Sequence, residues 1–135
     1  MTGEAGPSPA GGIVGVDHVQ VAAPLGCEAD ARSFYGDVLG LEEIAKPPAL
    51  AGRGGCWFRA GAQELHVGVT EAFAPASKAH PGLAVATPEA LNGIAARLEQ
   101  AGAPVEWADV DETPGRLRLH TADPWGNRIE LLTDA

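Results

Sequence analysis

The chain has 135 residues, 45% of them hydrophobic and 20% charged, the size and balance of one globular domain. A formal net charge of −9 gives no electrostatic basis for a nucleic-acid role, though it would suit a cationic small ligand. No apolar run reaches the length of a membrane span, and Cys27 and Cys56 lack the CxxC spacing of zinc or redox motifs, so they read as reduced thiols of a cytoplasmic protein.

Residues 1–12, rich in Gly, Pro, Ser and Ala without a basic flank or long apolar core, predict a disordered lead-in rather than a signal peptide. A single domain follows over 13–133. Its first module, 13–70, opens with a β-branched strand over 13–23 and continues with a helix over 27–39, closed by Gly40. A short strand over 41–46 is stopped by Pro47-Pro48, and 49–54 reads as a loop. Strands over 56–60 and 63–70 form a hairpin across Gly61-Ala62. A linker, 71–79, leads to the second module, 80–133. There a strand over 80–86 precedes Thr87 as N-cap, Pro88 in the first helical position and a helix over 89–101, closed by Gly102. Strands over 104–110, 116–122 and 127–133 complete it.

Each half therefore reads β-α-β-β-β, and counting checks the repeat. His18 lies 40 − 18 = 22 residues before Gly40, and His80 lies 102 − 80 = 22 before Gly102. The repeat pairs His18 with His80, and His66 with Glu130. Glu130 is conspicuous, because a carboxylate in the apolar run Ile129–Leu132 is costly to bury without a cation or metal. Strand alternation puts His18, Gln20, His66, His80, Arg116, Arg118, His120 and Glu130 on the faces opposite the apolar ones. The predicted fold is α+β: tandem βαβββ modules forming curved mixed sheets around a polar cavity, with helices on the outer faces. Imidazoles and a carboxylate converging there suit Zn, Ni, Co, Mn or Fe(II).

Three stretches, Asp17-His-Val-Gln-Val21, Phe34-Tyr-Gly-Asp-Val-Leu-Gly-Leu41 and Asp123-Pro-Trp-Gly-Asn-Arg-Ile-Glu-Leu131, give the chain a resemblance to the vicinal oxygen chelate superfamily. That superfamily holds glyoxalases, fosfomycin-resistance transferases, epimerases, extradiol dioxygenases and bleomycin-binding proteins. The resemblance implies a divalent metal held by His18, His80 and Glu130, with His66 at the fourth-strand ligand position. It also implies a homodimer, as single double-module chains often complete their cavity with a partner. Catalytic proton transfer would fall to Glu130, His66 or His120, and substrate contacts to Gln20, Arg116, Arg118 and His120. The chain departs from the families it resembles in carrying His66 where glyoxalase I usually has Glu, and Asp111-Glu-Thr-Pro-Gly115 where fosfomycin enzymes carry a serine-rich loop. The implied activity is a metal-dependent lyase or isomerase acting on a small oxygenated substrate, similar to lactoylglutathione lyase. A non-catalytic antibiotic-binding protein and a small dioxygenase are the alternatives, with neither nucleic acid nor membrane as a partner.

Overall fold

Alternation along the strands produces two four-stranded sheets, each with one face turned to the core. The computed structural model describes residues 11–135. The lead-in expected over 1–12 lies outside them, except for its last two glycines. The strands are β1 (His18–Ala23), β2 (Glu42–Ile44), β3 (Cys56–Ala60), β4 (Gln63–Val69), β5 (Gly82–Ala84), β6 (Glu106–Trp107), β7 (Arg116–Ala122) and β8 (Arg128–Asp134). One sheet has the order β1-β4-β3-β2 and the other β5-β8-β7-β6. In each, the first strand of the module runs parallel to the last and the other neighbours are antiparallel. The α+β fold with tandem βαβββ modules is the observed one.

The inward faces carry Val21, Phe58, Leu65 and Val67 in the first sheet, and Leu119, Ile129 and Leu131 in the second. Each such side chain contributes about 1.5–3 kcal/mol on burial. Helix α2 (Pro88–Gln100) covers this core with Leu91, Ile94, Ala95 and Leu98, spaced to share one face. Thr87 Oγ1 accepts the Ala90 N–H at 3.1 Å to cap it. The first module's helix, α1, starts over Glu28–Ala31 and widens to π-helical winding over Arg32–Val38. Phe34 and Tyr35 are thereby buried.

Several elements are shorter than the sequence predicts. The first strand begins at His18, because its partner β4 begins at Gln63: the Asp17 carbonyl still accepts the Glu64 N–H at 3.2 Å, but 13–16 have nothing to pair with. Ile13, Val14 and Val16 are accordingly exposed. The strand expected over 80–86 shrinks to Gly82–Ala84, since Pro81 has no N–H to donate to a ladder. His80 thus precedes the strand instead of lying in it. The strand expected over 104–110 retains only Glu106–Trp107 at a sheet edge, and the loop expected over 49–54 contains a 3-10 helix, Pro48–Arg53.

One glycine is strictly required. Gly55 has φ +84°, and a Cβ there would lie 2.1 Å from the Val67 carbonyl oxygen. Gly55→Ala is expected to cost about 2–4 kcal/mol, read as a lower urea midpoint at unchanged m-value.

A buried polar knot joins the modules. Tyr35 donates its hydroxyl to Asp123 Oδ2 at 2.7 Å, and Asn127 Nδ2 donates to the Ala22 carbonyl at 2.7 Å. Asp123 Oδ1 also accepts the backbone N–H groups of Trp125 and Asn127, at 3.1 and 2.9 Å. The turn that aims β8, and with it Glu130, is held against the first module from both sides.

Candidate metal centre

Ladder register places the site. In the second sheet His120 pairs with Glu130 and Gly82 with Glu130. The Glu130 N–H donates to the Pro81 carbonyl at 3.0 Å, which draws His80 alongside. His80 Nε2 and His120 Nε2 lie 3.1 and 3.2 Å from the same oxygen, Glu130 Oε1. Among the described residues, His80, His120 and Glu130 form the group whose ligand atoms all lie within 4.8 Å of one another.

The donor set fits a divalent transition metal. Tetrahedral bonds of 2.0–2.2 Å place neighbouring donors about 3.4 Å apart, close to the 3.1 and 3.2 Å between each imidazole and the Glu130 oxygen. The surroundings fit as well. His80 Nδ1 donates to the Lys78 carbonyl at 3.0 Å, which orients the ring and leaves Nε2 for coordination. Arg118 NH1 stands 3.6 Å from Glu130 Oε2, while its Nε donates to Thr113 Oγ1 and its NH2 to Glu112 Oε1. Arg118, expected as a substrate contact, therefore braces the carboxylate.

Burial pushes the Glu130 carboxyl up, but hydrogen bonds from His80 and His120 and the nearby charges outweigh it and hold the group below its ordinary range. Hydrogen bonding from the Gly55 N–H does the same for Glu28. A depressed folded-state value means the unfolded chain takes up the proton first as pH falls. These two carboxylates therefore contribute stability in full above about pH 4.5, and lose it as pH drops through their folded values. Urea titrations of metal-free protein across that window are expected to show the decline, with a smaller slope for Glu130→Gln.

The first module repeats the geometry with different chemistry. His66 pairs with Gln20 on one side and Trp57 on the other, so His18, His66 and Trp57 occupy the places of His80, Glu130 and His120. They form a stack: His66 lies 3.7 Å from Trp57 at 3°, and 4.3 Å from His18 at 15°. The nearly parallel planes of His18 and His66 keep their nitrogen lone pairs from aiming at one ion. His66 Nε2 bonds Glu64 Oε1 at 2.9 Å, and His18 Nδ1 bonds Asp17 Oδ1 at 2.9 Å.

Of the four residues expected as ligands, then, the chain brings together His80 and Glu130, and adds His120. His18 and His66 lie in a stack with Trp57, which is not among the residues the sequence points to. Arg116 pairs with the exposed Asp134, and Gln20 lies over Gly68 in the first module. Both cysteines are free and buried, and burial pushes the Cys56 thiol up to about 11, away from thiolate chemistry.

The model of the glyoxalase/bleomycin resistance protein/dioxygenase superfamily matches residues 15–131. A glyoxalase-family protein from Bacillus anthracis is 46% identical and superposes with a TM-score of 0.83 over 91% of this chain and 97% of that one. More distant folds of the same kind include a fosfomycin resistance protein from Listeria monocytogenes, at 13% identity and TM-score 0.71 over 91% and 95% of the two chains. A lactoylglutathione lyase from Agrobacterium tumefaciens shows 22% identity and TM-score 0.61 over 85% and 91%. No curated protein sequence matches significantly. No helix among the described residues is long and apolar enough to cross a membrane.

Proposed function

The chain belongs to the glyoxalase/bleomycin resistance protein/dioxygenase superfamily, and we propose that within it the protein is a metal-dependent enzyme of lyase or isomerase type acting on a small oxygenated substrate. The observation that carries this reading is the meeting of His80 Nε2, His120 Nε2 and Glu130 Oε1 beside a braced, partly buried carboxylate. His80, His120 and Glu130 would hold a divalent metal there, and it would supply Lewis acidity to substrate oxygens.

The chain's own residues do the rest. Lys78 sets the His80 ring through its carbonyl, and the Asp123 knot sets β8. Glu130 Oε2 is not engaged by either imidazole and only loosely by Arg118, 3.6 Å away, so it is the oxygen assigned to accept a substrate proton, while hydrogen bonds from His80 and His120, with the Arg118 charge behind them, keep the carboxylate ionised. His18 has a half-exposed ring at the start of β1, and is assigned as a donor to the metal site of a second copy. That assignment makes the working unit a homodimer. His66 holds the His18 ring by stacking.

Protein loaded in turn with Zn, Ni, Co, Mn and Fe(II), then assayed on small α-oxo and α-hydroxy carbonyl compounds and their thiol adducts, tests the reading. Turnover with at least one metal, abolished by a chelator, is expected. Metal-independent capture of a drug-sized ligand with no turnover for any metal would place the protein among the non-catalytic binders.

A further inference from the structure

The second module's sheet keeps the chelating group, while the first module departs from the repeat at a different place. There the polar face of β1 and β4 builds a cavity of about 250 Å³ whose lining includes Gln20, Lys46, Leu50, Arg53, Trp57 and Gly68. In the second module the position equivalent to Gln20 is Gly82, beside Leu132. In the first it is reversed: Gly68 is bare, and a Cβ there would come within 2.7 Å of the Gln20 side-chain carbonyl carbon. The missing side chain lets the carboxamide lie flat over the strand.

The charges are unusual for this protein. The chain has 18 acidic residues against nine lysines and arginines, yet two of those cations line this one cavity. Among the described residues, neither Lys46 nor Arg53 joins an ion pair. Lys46 Nζ donates to the Gly54 carbonyl, which ties it to the loop carrying Arg53. The Glu28 carboxylate is spent on the Gly55 N–H at 2.7 Å, holding that loop from behind. Trp57 has one face covered by His66, and the indole also lines the cavity.

We propose that this cavity is a binding site for a small organic carboxylate with a flat apolar body. The Arg53 fork and the Lys46 ammonium meet the carboxylate, the Gln20 carboxamide bonds its edge, and Trp57 with Leu50 receives the planar part. The cavity, of about 250 Å³, accommodates a ligand with a single ring. This inference stands without a metal in the second module, and its test reads binding in metal-free protein.

Benzoate and its neutral analogue benzamide are the probes, titrated into isotope-labelled protein and followed by NMR. Benzoate is expected to shift the Trp57 indole N–H and the Gly54 and Gly68 amides, and benzamide to bind at least about tenfold more weakly. Arg53→Gln is expected to weaken benzoate at least about tenfold and benzamide by clearly less, with the Gly55 amide unchanged. Unshifted resonances, equal affinities for the two probes, or an Arg53→Gln protein that binds benzoate as before would each overturn the proposal.

Discussion

Glu130→Gln is expected to lower affinity for divalent metal by at least about a hundredfold, and to remove any metal-dependent activity, with the fold intact. The amide keeps the size of the carboxylate and still bonds His120 or Arg118, so the loss reads as lost charge and lost coordination. Without the carboxylate, two imidazoles and a nearby guanidinium face each other with no anion between them. Isothermal titration with Zn and Co, beside a thermal melt of the apo form, separates the two effects. His66→Gln is the informative companion, because the stacked His66 does not reach the group formed by His80, His120 and Glu130. Its metal affinity is expected to fall far less than that of Glu130→Gln, by about tenfold or under, because His66 acts only by holding the His18 ring.

Asp123→Ala is expected to destabilise the protein by about 3–5 kcal/mol, a large share of the 5–15 kcal/mol typical of a domain. Asp123 is 5% exposed, and its carboxylate accepts from the Tyr35 hydroxyl, the Asn127 side chain and two backbone N–H groups. Truncation strands those donors in a buried turn and loosens the clasp between the modules. Tyr35→Phe removes only one of the donors and fills the same space, so a cost of about 1–2 kcal/mol is expected. Urea unfolding of both variants checks the ranking, and a loss under about 1 kcal/mol for Asp123→Ala would contradict this role.

Much of the fold was legible because a tandem repeat can be counted. His18 with His80, and His66 with Glu130, fall in matching ladder places: Gln20 opposite His66, Gly82 opposite Glu130, each histidine two residues earlier. The role of Trp57 was also within reach. The tight turn at Gly61-Ala62 fixes the β3–β4 register, and following it from Ala60–Gln63 leads to Trp57–His66. The five-residue connection before β8 allows more than one register, so His120 beside Glu130 read as a proton-transfer or substrate-contact residue instead of a metal donor. Strand ends were missed where pairing, rather than propensity, decides. Ile13, Val14 and Val16 have strong β preference, yet no partner strand extends to meet them. The widening of α1 over Arg32–Val38 left no pattern in the apolar spacing.

The central claim is that His80, His120 and Glu130 hold a divalent metal. Anomalous scattering from crystals grown with Co or Zn tests it most directly. The account predicts one strong peak about 2.0–2.2 Å from His80 Nε2, His120 Nε2 and a Glu130 oxygen, with His18 of a second copy turned toward it. A map with no peak at those residues in metal-saturated crystals, or with the ion bound elsewhere, would contradict it.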